Sequence, residues 1–261
     1  MNWREMMDSF RNAQGDAVML ISHASYLFKT SGVFWAVDPR LNRDLHIQAE
    51  EGLAADFKGL QVAMVTHLHG DHYDKALIER LASQDIHWIF PHFMPAEVRE
   101  EWKKKLRCCS FLAPGDEISL ERLRIRAFES IHYDYFQGKR CGVEENGYRV
   151  EAGGKVFLFP GDVRNYEMLP DIQKGADEFF THVWLGREAA LSPKEEMAES
   201  FCRYFAGANA GRMWLGHLND MDRAPIDRWT PAHAQLVKEG IQKRAPDMDI
   251  QIPEHGKVYC L

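Results

Sequence analysis

Hydrophobic residues in the first third of the chain gather in short blocks that read as strands. Ala17–Ile21, Tyr26–Thr30 and Val33–Val37 are β-rich runs set apart by turn residues such as Ser31-Gly32. Val62-Ala63-Met64-Val65-Thr66 is almost continuously apolar, the pattern of a strand buried on both faces. Leu77, Ile78 and Leu81 recur at helical spacing and predict a helix over Lys75–Ala82. Ile86–Phe90 reads as a further buried strand and Ala96–Leu106 as a charged helix. Ile118–Phe128 alternates, with Leu123, Ile125 and Ala127 against Arg122, Arg124 and Arg126, so a strand with one wet face is expected. Gly147–Glu151 and Lys155–Phe159 predict a hairpin across Ala152-Gly153-Gly154. The last third mixes helices (Lys194–Phe205, Pro231–Lys243) with short strands (Arg212–Leu215, Asp249–Ile252, Lys257–Cys260). With no steady βαβ beat, the order argues for two sheets covered by helices, an α/β (α+β) chain whose periodicity alone does not choose the architecture.

Composition narrows the function classes. The chain has 261 residues, 45% hydrophobic and 27% charged, which is ordinary for a globular protein. No linker or repeat divides it, so a single domain over residues 1–261 is expected. A net charge of −7 disfavours a surface that grips nucleic acid along its whole length. Five cysteines without a C-x-x-C pair are not a disulfide framework. The start lacks the basic and apolar runs of a signal peptide, and no stretch is long enough to span a membrane, so a cytoplasmic protein is expected.

Candidate chemistry concentrates in Thr66-His67-Leu68-His69-Gly70-Asp71-His72-Tyr73-Asp74, where the apolar strand ends and a helix begins. On extended backbone His67 and His69 point the same way, and Gly70 permits a turn that swings Asp71 and His72 toward the same point. Three imidazoles and a carboxylate within six residues suit a borderline ion such as Zn²⁺. A merely His-rich surface loop would not explain why the cluster abuts the most apolar strand.

With these residues the chain resembles the metallo-β-lactamase superfamily, whose signature is H-x-H-x-D-H. The resemblance continues through Asp38 in Phe34-Trp35-Ala36-Val37-Asp38-Pro39, His132 in Glu129-Ser130-Ile131-His132-Tyr133, Asp162 after Phe159-Pro160-Gly161, and His217 after Met213-Trp214-Leu215-Gly216. Within the superfamily it looks most like the branch that includes ascorbate-6-phosphate lactonase, through Ser22-His23-Ala24-Ser25, the Asp38-Pro39 step and Gly147–Glu151. Val163 stands where many relatives carry a hydroxyl residue, a departure that bears on a supporting hydrogen bond and not on a ligand.

The resemblance implies a four-layer αββα sandwich and two divalent ions, Zn foremost, with Mn or Fe as alternatives. It places His67, His69 and His132 on one ion, Asp71, His72 and His217 on the other, and Asp162 between them. Asp71 and His217 are also the implied catalytic residues, Asp71 orienting a hydroxide generated at the dinuclear site. Asp38 would support the His-rich loop, and His23 would line the site or only hydrogen-bond within it. His255, in Pro253-Glu254-His255-Gly256, rivals His217 as the last ligand. His46, His87, His92, His182 and His233 lack ligand spacing and read as structural. Arg164 and Tyr133 are candidates for substrate contact, and Arg40–Lys58 and the stretch after His132 for the walls. Cys108-Cys109 and the run Lys103–Arg107 read as ordinary thiols and a solvated helix face.

The leading expectation is a metal-dependent hydrolase of a small ester, lactone or related substrate, with an anionic small molecule compatible as partner, no membrane, and nucleic acid disfavoured; a homo-oligomer is compatible with the sequence. Three readings compete: a phosphodiesterase or nuclease like ribonuclease Z, disfavoured by the acidic charge; a di-iron redox protein, whose relatives carry Glu at the position of His69; and a silent metal-binding scaffold.

Overall fold

The computed structural model describes residues 3–41 and 53–261. His46 and residues 42–52 of the expected wall segment Arg40–Lys58 lie outside the described residues. The chain divides into two compact units, Met1–Arg124 with Glu254–Leu261, and Ile125–Pro253.

The first unit runs through α1 (Trp3–Asn12), β1 (Ala17–Leu20), β2 (Tyr26–Thr30), β3 (Val33–Val37), α2 (Leu53–Asp56), β4 (Leu60–Met64), α3 (Lys75–Leu81), β5 (His87–Pro91), α4 (Ala96–Lys105), β6 (Cys108–Leu112) and β7 (Glu117–Leu120). The boundary falls in β8 (Leu123–Glu129). The second unit continues through β9 (Tyr133–Phe136), β10 (Lys139–Gly142), β11 (Asn146–Ala152), β12 (Lys155–Phe159), β13 (Glu178–His182), α5 (Glu195–Ala206), β14 (Arg212–Gly216), α6 (Pro231–Gln242) and β15 (Asp249–Gln251). The terminal strand β16 (Val258–Cys260) belongs to the first unit.

In the first unit the strands order as β16-β1-β2-β3-β4-β5-β6. The β1, β2 and β3 strands pair antiparallel, whereas β3, β4, β5 and β6 run parallel. Parallel strands end at the same sheet edge, so Asp38 after β3 and the His-rich segment after β4 emerge side by side. Behind that edge Leu77, Ile78 and Leu81 of α3 and Trp102 of α4 are buried with Trp88 and Phe90 of β5. Asp74 starts α3 by accepting from Leu77 N (2.9 Å), which satisfies one of the donors a helix start leaves open. The positive run of α4 is a solvated face: Lys103 pairs with Glu100, and Lys105 with Glu79 and Glu101.

The second sheet orders as β15-β14-β13-β12-β11-β8-β7. The β12, β13, β14 and β15 strands are parallel neighbours, so β12, β13 and β14 deliver Asp162, His182 and His217 to one edge. An aromatic ladder stiffens them: Phe159 stacks on Phe180 (4.8 Å) and Phe180 on Trp214 (5.6 Å). The β11–β12 hairpin turns at Gly153-Gly154, both with positive φ, as a two-residue loop requires.

Most predicted elements form within a residue or two of their expected ends. One does not. Ile118–Phe128 is two strands broken at Glu121-Arg122, with Glu121 left-handed (φ 54°). Two adjacent polar residues there make a turn that the surrounding alternation conceals. The pattern also missed α1, α2, β6, β9, β10 and β13. Among the described residues no helix is long and apolar enough to cross a membrane.

Candidate metal centre

Each unit carries its own His/Asp cluster at the strand ends. In the first, Asp38 sits left-handed (φ 46°), a rare conformation for a non-glycine residue, tied by its N–H to Met64 O (2.8 Å). Its buried carboxylate accepts from Thr66 N (2.7 Å), from Thr66 Oγ1 (2.8 Å) and from His72 Nδ1 (2.7 Å).

These bonds fix two ring tautomers. The His72 Nδ1 proton points at Asp38, so Nε2 carries the lone pair. The Thr66 hydroxyl gives its only proton to Asp38, so at 3.0 Å it accepts from His67 Nδ1, and Nε2 of His67 also carries a lone pair. A carboxylate that orients imidazoles in this way is the usual support of a metal ligand. His67 Nε2 lies 3.0 Å from His69 Nδ1, and His72 Nε2 lies 3.9 Å from Asp71 Oδ2. His67 and His72 are fully buried.

In the second unit Asp162 is the hub. Its Oδ1 lies 3.8 Å from His217 Nε2, and its Oδ2 lies 3.9 Å from His132 Nε2. Both separations are too long for hydrogen bonds, yet below the roughly 4.2 Å that two ligand bonds of about 2.1 Å can span. The carboxylate therefore faces a different imidazole with each oxygen. His182 Nδ1 lies 2.7 Å from Oδ1, and the His182 ring stacks on His217 at 5.1 Å. Asp162 N donates to buried Glu145 (2.9 Å to Oε2), whose carboxylate also meets Ser130 Oγ (2.7 Å) and His132 Nδ1 (3.6 Å). Gly161, with φ 76°, leaves room for this packing: a Cβ there would meet the Glu145 carboxyl group at 2.4 Å. His217, like Asp38, is left-handed (φ 64°).

Sequence reasoning missed two of these residues. His182 was read as structural because β13 was not foreseen; its signal was a position at the end of the apolar run Phe179-Phe180. Glu145 carries no motif, and only the fold brings it to Asp162 N.

His23 Nε2 accepts from Arg40 Nη1 (2.8 Å), both residues being buried. His255 bridges to Leu20, and its ring lies 6.4 Å from that of His23. Tyr133 carries the Arg140 guanidinium over its ring (3.6 Å), and burial raises its phenol pKa. Arg164 is buried, with Asp134 at 3.7 Å. Cys108 is exposed and Cys109 half-buried, its thiol pushed up by burial.

A sequence profile described as the beta-lactamase superfamily domain matches residues 17–176. No curated protein sequence matches the chain. Among solved structures the chain is similar to Igni18, a metallo hydrolase from the hyperthermophilic archaeon Ignicoccus hospitalis, at 17% identity and a TM-score of 0.66, over 94% of this chain and 97% of that one. It is similar to the metallo-β-lactamase fold protein YhfI from Bacillus subtilis at 14% identity and a TM-score of 0.63, over 94% and 98%. It is also similar to CmlA, a diiron β-hydroxylase from Streptomyces venezuelae, at 14% identity and a TM-score of 0.66, over 96% of this chain but 55% of that one. At these identities the likeness is one of fold: two sheets with helices, of the metallo-β-lactamase type.

Proposed function

The chain belongs to the beta-lactamase superfamily, and on that premise we propose that it is a metal-dependent hydrolase of a small ester or lactone, close to the ascorbate-6-phosphate lactonase-like branch. Two divalent ions, Zn foremost, would be held by His67, His69, His132 and Asp162, and by Asp71, His72, Asp162 and His217, the two groups whose ligand atoms lie close enough to share an ion. The observation that carries this reading is Asp162, each of whose oxygens faces a different imidazole at 3.8 and 3.9 Å.

The residues fit such ions in chemistry as well as spacing. Neutral imidazoles with a fixed lone pair and carboxylates are the donors that borderline divalent ions prefer. A bound ion pair supplies Lewis acidity and lowers the pKa of water toward neutrality. The protein's own part is positional. Asp38 holds His67 through Thr66 and His72 directly, while Glu145 and His182 hold Asp162. Asp71 accepts a hydrogen bond from the attacking water and keeps its lone pair aimed at the substrate carbonyl. His217, whose Nε2 lies 3.8 Å from Asp162 Oδ1, would hold the second ion through that ring nitrogen.

The whole chain acts as one domain on a small-molecule substrate, without nucleic acid or membrane, in the cytoplasm, and as a homo-oligomer or a monomer. The five free cysteines support a reducing compartment. A redox reading draws on the likeness to the diiron hydroxylase, but that likeness covers 55% of the longer chain. The test is to chelate the protein, remove the chelator, add back Zn²⁺ and assay a panel of lactones, esters and phosphodiesters. Turnover of a lactone or ester that is lost and then restored is expected. Full turnover by the chelated protein contradicts the reading.

A further inference from the structure

We infer that Arg164, backed by Arg187, forms a subsite for an oxyanion group of the substrate, a carboxylate or a phosphate; this deepens the hydrolase reading and rests on it. Arg164 lies two residues beyond Asp162. Its N–H donates to Ile131 O (2.8 Å), which pins it beside the residue that precedes His132. Its side chain is only 6% exposed. A guanidinium cannot shed its charge when buried, so it needs a partner.

The partner at hand is already spent. Asp134 accepts two bonds from Arg187, from Nη2 to Oδ1 (2.8 Å) and from Nε to Oδ2 (3.1 Å). Arg164 Nη1 reaches the same Oδ1 at only 3.7 Å, beyond a hydrogen bond. Two guanidinium groups thus share one carboxylate. Arg164 Nε has no hydrogen-bond partner among the described residues. Trp184 covers one side of the fork, its ring 5.5 Å from Arg164 Cζ.

The planar fork of Arg matches a carboxylate or phosphate with two parallel N–H bonds, which a neutral group cannot accept as strongly. An oxyanion on Arg164 would balance the second positive charge and satisfy the open donor together. Because Arg164 follows Asp162 so closely, a substrate whose reacting carbonyl is at Asp162 would carry that group within a short chain of it. Arg187 acts through Asp134: while it holds that carboxylate, Arg164 stays available.

The experiment compares two matched esters on the Zn-loaded protein, mono-4-nitrophenyl glutarate and 4-nitrophenyl butyrate, which differ chiefly in one carboxylate. The wild type should favour the glutarate ester in kcat/KM by about 10- to 100-fold, as a charged hydrogen bond to one ligand group gives. Arg164→Gln should bring the ratio close to one, mainly through KM, and Arg164→Lys should restore part of it. Arg187→Gln, a change at a more exposed residue, should lower the ratio by freeing Asp134 to neutralise Arg164. A wild-type ratio near one, or a ratio that survives both Arg164→Gln and Arg187→Gln, overturns the subsite while the hydrolase reading stands. If neither ester is hydrolysed, the hydrolase reading is left to the lactones and phosphodiesters of the metal add-back panel, and calorimetry with glutarate and inorganic phosphate decides the subsite. Binding weakened at least tenfold in both variants supports it; equal binding in all three proteins, or none in the wild type, overturns it.

Discussion

The His-rich loop of the first unit and the Asp162 cluster of the second present the same donor types by different means. The first packs His67, His69, Asp71 and His72 into six residues, and one carboxylate, Asp38, orients two of the imidazoles. The second collects His132, Asp162 and His217 from three separate strand ends, and Asp162 itself is held from two sides, by Glu145 at its N–H and His182 at its Oδ1. A local loop needs one support because its ligands are already neighbours. A dispersed set needs a rigid sheet edge, which the parallel β12, β13 and β14 strands and their stacked aromatic residues supply.

The largest break in this comparison is expected at Asp162, whose two oxygens face His217 and His132. Asp162→Ala should lower hydrolysis at least about a thousandfold, because positioning and charge stabilisation fail together. A variant within tenfold of the wild type would detach Asp162 from the chemistry. Next comes Asp38→Ala, which releases both His67 and His72; metal affinity or activity should fall about 10- to 100-fold, the usual cost of losing an orienting carboxylate. His182→Ala loosens only one oxygen of Asp162 and should cost less than Asp38→Ala under the same assay. The reverse ranking would show that the dispersed set, not the loop, depends more on its support.

Smaller effects probe the sheet beneath. Gly161→Ala forces a left-handed alanine and brings a Cβ against Glu145, so unfolding free energy should fall by about 2 kcal/mol in denaturant titrations. An unchanged midpoint would mean the Glu145 contact is soft. The smallest concerns Glu178, which burial drives to a raised pKa while Trp214 Nε1 donates to it at 2.7 Å. The folded protein then holds this proton more tightly than the unfolded chain, so the group's contribution is complete below about pH 4.5 and is lost as pH rises through its folded value. Glu178→Gln removes that loss, so the Tm difference between variant and wild type should grow more positive toward neutral pH, on the order of a few degrees. A difference flat with pH would contradict the assignment.

How much of this could be read in the sequence follows the same divide. The loop was legible because its spacing and its place after an apolar strand are both local features. The Asp162 cluster was reached only by resemblance, residue by residue, since nothing in the long stretches between His132, Asp162 and His217 marks a shared destination. Glu145 and His182 escaped both routes: one has no motif, and the other ends a strand whose mixed Glu178-Phe179-Phe180-Thr181-His182 pattern hides its burial on both faces. The Glu121-Arg122 turn was hidden for a related reason, because strands on either side kept the alternation going.

The account turns on Asp162 serving two ions, and elemental analysis of Zn-saturated, gel-filtered protein tests that most directly. The wild type is predicted to retain two ions per chain and Asp162→Ala to retain fewer than one. A wild type that holds no metal, or an Asp162→Ala variant that keeps both ions, would contradict it.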